Sequence, residues 1–182
     1  MRVIAGKMKG RRLARPGGND VRPTADKVKE AIFSMISDYL EDAVVVDLFA
    51  GSGSLGIEAL SRGAKFCYFC DNSADSIKLI KENIKICGAE GQSKAVFDDF
   101  KKALSKVGEK ADIIFLDPPY EAGLLEPCVK AIQRLDVLGE NGVIVCEHGA
   151  KDGLPDDTSG FSKIKEKKYG TVFVSLYKFF AC

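Results

Sequence analysis

One stretch constrains this chain more than any other: residues 44–56, which read VVVDLFAGSGSLG. Three valines, then Leu48 and Phe49 beyond Asp47, make a short apolar run that a glycine cluster ends abruptly. Such a run reads as a strand buried on both faces. Residues 50–53 then turn, and residues 55–62 have helix-forming composition up to Gly63, a C-terminal stop. Strand, glycine turn and helix N-terminus in succession put a ligand just past the carboxyl end of the strand, in the crevice of an open parallel sheet.

The flanking pattern repeats that unit. Strands are predicted at residues 65–70, 94–97, 111–116 and 142–146, and helices at 73–87, from about 100 to 107, and at 124–135. Alternation of this kind implies a mostly parallel sheet with right-handed crossovers. Two further strand-like runs, 162–168 and 171–180, meet at Tyr169-Gly170 as a hairpin. Upstream, Thr24 is expected to cap a helix whose apolar positions Val28, Ala31, Ile32, Met35, Ile36 and Tyr39 recur at helical spacing. Val3-Ile4 and Leu13 flank a Gly/Lys-rich centre, so a small hairpin is expected near residues 7–10.

The glycines by themselves are ambiguous. Gly51-x-Gly53-x-x-Gly56 matches the dinucleotide fingerprint, and Asp71 lies 20 residues after Gly51, where a ribose-binding acid would fall. Asp47, four residues before the first glycine, argues for a different ligand. A carboxylate there suits a cation and suits a pyrophosphate poorly. With Asp117-Pro118-Pro119-Tyr120 downstream, the set resembles the acidic-FxGxG and DPPY motifs of S-adenosylmethionine-dependent amino-group methyltransferases. That ligand carries a sulfonium and an ammonium.

Asp117-Pro118-Pro119-Tyr120 opens from the end of the fourth predicted strand. Two prolines fix φ and remove two backbone donors, leaving the carbonyls around them free to accept. An exocyclic base amine is a weak nucleophile because its lone pair is delocalised into the ring. If the Asp117 carboxylate and the Pro118 carbonyl each accept one of its N–H groups, the nitrogen is drawn toward a tetrahedral form. Its lone pair then points at the methyl group, and positioning with electrostatics carries the reaction. Tyr120 offers a flat face on which an extruded base stacks. On the same sheet edge, Asp71 can accept both ribose hydroxyls, and Asp99 with Phe100 can meet the adenine edge and face.

Length and composition narrow the class. With 182 residues, the chain suits one domain and is too short for a nucleotide domain plus a separate substrate domain. No apolar run approaches the roughly 20 residues of a membrane helix, and the basic N-terminus lacks the apolar core of a signal peptide. A cytoplasmic location without a membrane partner is expected. The cysteines at 67, 70, 87, 128, 146 and 182 read as buried thiols. Cys67 and Cys70 fall three apart in a strand and should face opposite ways, so no metal site is expected. His148 has no Ser or Cys partner that the sequence places, so a hydrolytic triad is unsupported.

Net charge is +1, but residues 1–30 hold nine Lys/Arg against three Asp/Glu, which leaves −5 for the rest. Such asymmetry points to an end that faces nucleic acid. Residues 1–20 are accordingly expected to form a basic arm on a domain spanning 21–182. In the arm, Lys7, Lys9, Arg11, Arg12 and Arg15 would grip phosphates. Arg22 sits between arm and core and could reach a phosphate or the reacting centre.

Taken in order, the basic hairpin, Arg22-Pro23-Thr24, residues 47–53, Asp71 and residues 117–120 resemble bacterial 16S ribosomal RNA guanine-N2 methyltransferases of the RsmD type, over essentially the whole chain. The resemblance implies a Rossmann-like class I fold of α/β type, with a mostly parallel seven-stranded sheet and a C-terminal antiparallel hairpin. It implies S-adenosyl-L-methionine as donor, S-adenosylhomocysteine as product, and 16S rRNA in the small ribosomal subunit or an assembly intermediate as partner of a monomer. Asp47, Phe49, Gly51, Gly53, Asp71, Asn72, Asp99 and Phe100 would hold the donor, and Asp117, Pro118 and Tyr120 would serve the base. Two other readings stay open from the residues alone. A DNA adenine-N6 or cytosine-N4 methyltransferase would use the same DPPY chemistry, and a non-catalytic RNA- or nucleotide-binding module would keep the basic arm.

Overall fold

The computed structural model describes residues 1–16 and 23–180. Arg22 lies outside them, as does all but Pro16 of the loop that Pro16-Gly17-Gly18-Asn19-Asp20 signals in the sequence. Strands β1 (Val44–Asp47), β2 (Phe66–Asp71), β3 (Ser93–Phe97), β4 (Ala111–Leu116) and β5 (Leu138–His148) pair in parallel in the order 3-2-1-4-5. β7 (Phe161–Tyr169) and β8 (Val172–Phe179) form the expected hairpin, with β8 antiparallel to β5. The sequence pattern predicts seven strands and the sheet has eight. The extra one, β6 (Asp157–Thr158), is two residues long and too short to leave an alternation.

Side chains on the parallel strands alternate between two cores. Val45, Cys67, Phe69, Ile113 and Phe115 face helices α1 (Pro23–Met35), α2 (Ser54–Ser61) and α3 (Ala74–Cys87). Val44, Val46, Tyr68, Cys70 and Ile114 face α4 (Phe100–Ser105) and α5 (Leu125–Leu135). Burial on both faces is why these strands read as continuous apolar runs. Cys67 and Cys70 do fall on opposite faces, and both are buried. Helix ends follow the sequence closely at α3, where the Ser73 hydroxyl accepts from the Ser76 N–H and Gly88 closes the last turn at φ 62°. At α1 they do not. The helix begins at Pro23, so Thr24 lies inside the first turn instead of capping it. Proline suits that first position because its φ is already helical.

Residues 1–13 form the expected hairpin, held by Val3 N–H to Arg11 O (3.0 Å), Gly10 N–H to Val3 O (2.9 Å) and Leu13 N–H to Met1 O (3.0 Å). It is docked along α2. Val3, Met8 and Leu13 are buried in the core shared with α1–α3. The Ile4 and Ala5 N–H groups donate to Glu58 at 2.9 and 3.0 Å, and Lys7 N–H donates to Ser61 O at 2.8 Å. Gly6, at φ 81°, is the point of closest approach: a Cβ there would lie 1.8 Å from Ser61 O. Glu58 is fully buried and also accepts from Arg62 Nε at 2.9 Å, with Lys29 Nζ 3.4 Å away.

Candidate active site

Every parallel strand delivers an acid to the carboxyl edge of the sheet. Asp47 ends β1, Asp71 ends β2, Asp98 and Asp99 follow β3, Asp117 follows β4, and Glu147 is the penultimate residue of β5. Over this edge lies a cavity of about 720 Å³. That volume is within the roughly 300–1,000 Å³ common for small-molecule sites.

One side of the cavity is built by β1–β3. Leu48, Phe49 and Gly51 come from β1 and its turn, Asp71 and Asn72 from β2, and Asp98, Asp99 and Phe100 from β3. Gly51 and Gly53 hold φ of 55° and 78°, the left-handed region that lets the turn fold back tightly. Gly51 N–H donates to Asp71 Oδ2 and Ser73 N–H to Asp71 Oδ1, both at 2.9 Å. Asp71 thus fixes the turn, and each of its oxygens keeps a lone pair for a diol. Phe49 and Phe100 stand 6.3 Å apart, a pair of aromatic walls. Asp99 caps α4, accepting from the Lys101 and Lys102 N–H groups, and these bonds lower its pKa.

Two expected donor residues stand behind the cavity wall. Gly53 precedes α2 as its N-terminal flank. Asp47 is 2% exposed and accepts the Gly56 N–H at 3.1 Å, so it pins the start of α2 from beneath. Burial, opposed by that bond, pushes its pKa up to about 7. The reason is local packing: Gly56 sits so close to β2 that a Cβ would be 2.4 Å from the Phe69 ring, and the helix start closes over Asp47.

The other side is built by β4 and β5: Asp117, Pro118, Pro119, Tyr120, Leu124 and Glu147. Asp117 receives no hydrogen bond from the described residues, and burial plus the neighbouring Glu147 charge holds its pKa well above the carboxylate range. Tyr120 is 52% exposed, and its hydroxyl donates to Glu147 Oε1 at 3.3 Å. Burial of the phenol and the Glu147 charge raise its pKa to about 12. Tyr120 also separates the main cavity from a smaller one of about 210 Å³, which Glu147 and His148 line as well. The sequence reading missed Glu147. Its signal was position: an acid near the end of β5, where each of the other parallel strands also delivers an acid.

His148 has a serine partner that the sequence alone does not place. Pairing of β5 with β8 brings Ser175 Oγ to 2.8 Å from His148 Nε2. The hydroxyl is fully buried and donates to Glu166 Oε2 at 2.7 Å, so it is a strut between strands with no route to a substrate.

The cations of the N-terminal hairpin divide between the two sheet edges. Its turn lies at the far edge: Lys7 Nζ donates to Gln92 Oε1 at 2.8 Å, and Arg11 donates to Ile86 O near the end of α3 at 2.9 Å. Lys9 belongs to the same turn, whose Lys9 N–H bonds Gly6 O. The hairpin's open end is at the carboxyl edge. Ser52 Oγ in the glycine turn contacts Met1 Sδ at 3.7 Å, and Lys29 Nζ bridges Arg2 O and Ser54 Oγ. Arg12 pairs with Arg2 in the ladder, and Arg15 acts electrostatically on the Met1 amine. The hairpin therefore carries Arg12 and Arg15 at its carboxyl-edge end and Lys7, Lys9 and Arg11 toward the opposite edge. Arg2, unread in the sequence, joins the first group.

A family model described as conserved hypothetical protein 95 matches residues 1–178. The chain belongs to that family, the RsmD-type methyltransferases. YlbH of Bacillus subtilis, provisionally named an rRNA methyltransferase, is 40% identical over 98% of both chains. Ribosomal RNA small subunit methyltransferase D of Escherichia coli is 35% identical over 98% of this chain and 89% of its own. Among solved structures, YhhF of Escherichia coli, provisionally named a methyltransferase, aligns with a TM-score of 0.87 at 30% identity, covering 100% of this chain and 99% of that one. Within the family fold, the acid, aromatic and glycine set on β1–β3 fits S-adenosylmethionine: Asp71 offers acceptors to a diol, and Phe49 and Phe100 offer walls to a purine.

Proposed function

We propose that the chain transfers the methyl group of S-adenosyl-L-methionine to the exocyclic N2 amine of a guanine in 16S rRNA of the small ribosomal subunit. The observation that carries this reading is one cavity shared by two motifs. The donor set of β1–β3 and Asp117-Pro118-Pro119-Tyr120 face each other across it. The names of the relatives support RNA of the small subunit as the partner.

The bound donor supplies an electrophilic methyl on a sulfonium. Asp71 and Asn72 hold its ribose, Phe49, Asp99 and Phe100 its adenine, and Gly51 gives the backbone room to approach. Asp47 acts through the turn: it anchors Gly56 N–H, and a cation overhead favours its ionised form. On the other side, Asp117 and the Pro118 carbonyl accept the two N2–H groups, and Tyr120 stacks on the extruded base. The base amine is thereby held in line for transfer, and the methylated nitrogen would give up its extra proton to Asp117 or to water. Arg2, Arg12 and Arg15, at the carboxyl-edge end of the hairpin, grip phosphates near the target base, Lys7, Lys9 and Arg11 reach RNA farther along the arm, and Arg22 adds a further cation for RNA. Lys165, Lys167 and Lys168, exposed on β7, extend the basic surface on the opposite flank. The enzyme works as a cytoplasmic monomer.

The test is incubation with methyl-labelled S-adenosylmethionine and, in parallel, small subunits from a strain lacking the gene, naked rRNA, and DNA. Digestion to nucleosides should place the label in N2-methylguanosine from the small subunit or its RNA. Label in N6-methyladenosine or N4-methylcytosine of DNA would establish the rival reading instead.

A further inference from the structure

Glu147 has no part in the reaction as described above, yet it lines the same cavity as Asp117. β4 and β5 run parallel with Leu116 opposite Cys146, so the next residues, Asp117 and Glu147, leave neighbouring strand ends side by side. Each ionised carboxylate can accept about four hydrogen bonds. Among the described residues this pair receives one, from the Tyr120 hydroxyl at 3.3 Å, and Asp117 receives none. Two partly buried acids with a single long donor between them form a site short of donors. The cavity in front of them is where donors have to come from.

Bases differ in what flanks their exocyclic amine. Guanine N2–H₂ has a second donor, N1–H, beside it. Adenine N6 and cytosine N4 have a ring acceptor there, N1 and N3 respectively. An ionised carboxylate set against an acceptor is repelled and left unpaired, which costs more than a missing contact. We infer that Glu147 is the residue that reads the base: it accepts guanine N1–H while Asp117 accepts N2–H. Pairing the acids with adjacent donors selects guanine, and bases with an acceptor beside the amine are excluded. The inference rests on the guanine reading above and names the side chain that enforces it. In the free chain, burial holds both carboxyls above their usual range, and the two guanine N–H groups relieve that by stabilising the ionised forms.

The decisive probe is 2-aminopurine, which keeps the 2-amino group but has an acceptor at N1. Small subunits are reconstituted with rRNA carrying guanine or 2-aminopurine at the position that wild type methylates. Methyl transfer and 2-aminopurine fluorescence are then followed, the second reporting base capture independently of chemistry. Wild type should prefer guanine on the order of 10–100-fold. In Glu147→Gln the amide can turn its N–H toward a ring acceptor. The preference should shrink to about threefold or less, with stronger capture of 2-aminopurine and unchanged calorimetric affinity for the methyl donor. Glu147→Asp keeps the charge and should keep the preference at a lower rate, which separates base reading from a merely structural role. An unchanged guanine preference in Glu147→Gln would overturn the inference. If wild type labels no guanine, the underlying reading falls first, and that is seen before any variant is compared.

Discussion

At the scale of single residues, the site is governed by carboxyls whose ionisation the fold resists. Asp117 accepts an N–H most strongly when ionised, and burial followed by the Glu147 charge pushes its pKa upward. Turnover should therefore rise with pH as the pair loses its proton. Glu147→Gln removes one of the two charges, so the acid limb of the kcat profile should move to lower pH even as the plateau falls. A pH series of single-turnover rates checks this, and an acid limb that stays in place would speak against coupling between the two acids. Asp47 behaves differently because it meets no substrate. Its folded pKa of about 7 lies above the ordinary 3.8, so the fold favours the protonated form. Stability is then fullest below the ordinary value and is lost as pH rises through about 7. Asp47→Asn keeps an acceptor for Gly56 N–H and escapes that loss. In the absence of donor it should be more stable than wild type above neutrality, on the order of 2–4 kcal/mol by urea unfolding, with little difference near pH 4.

At the scale of elements, the N-terminal hairpin is the part whose behaviour differs most from its sequence. Its lysines and arginines read as a phosphate-gripping arm, and the buried Val3, Met8 and Leu13, five residues apart, follow neither a strand nor a helix period that would mark them in the sequence. What binds the hairpin is Glu58, one acid in a helix that otherwise reads as ordinary packing. Removing it leaves Arg62 Nε and two backbone N–H groups without their acceptor and the buried Lys29 without its counter-charge. Glu58→Ala should cost about 3–5 kcal/mol in denaturant unfolding, and a loss below 1 kcal/mol would show that the hairpin docks by its apolar side chains alone. The division of cations between the two edges also makes a prediction. Replacing Arg2 or Arg12 by Ala should flatten the dependence of log affinity on log salt by about 0.7–0.9 each, as lost phosphate contacts. Arg11→Ala gives up its bond to Ile86 O as well, so it should also loosen the end of α3, visible as faster amide exchange there. Equal effects of Arg11 and Arg12 on the salt slope alone would argue that the edges are equivalent.

At the scale of the whole molecule, the alternating pattern of buried strands and helices was readable because each parallel strand is apolar on both faces and each turn is marked by glycine, proline or an acid. Asp71 and Asp117 were legible for the same reason, since they stand directly after apolar runs, and Asp99 follows such a run one residue later. Glu147 stands in the same way after the apolar residues 143–146, with Gly149 two residues on, but it belongs to no motif such as the proline pair that marks Asp117, and so it was passed over. The Ser175 partner of His148 was hidden because the antiparallel return of β8 sets it, 27 residues away. The proposed division of labour gives one cavity a donor side from β1–β3 and a target side from β4–β5. Its most direct measurement pairs calorimetric donor affinity with single-turnover methylation of small subunits in Asp71→Ala and Asp117→Ala. Asp71→Ala should bind S-adenosylmethionine more weakly by about 1.5–3 kcal/mol, through lost ribose contacts and a loosened glycine turn. Asp117→Ala should bind the donor as wild type does and transfer no methyl group. Near-normal methylation by Asp117→Ala, or loss of donor binding equal to that of Asp71→Ala, would contradict the division.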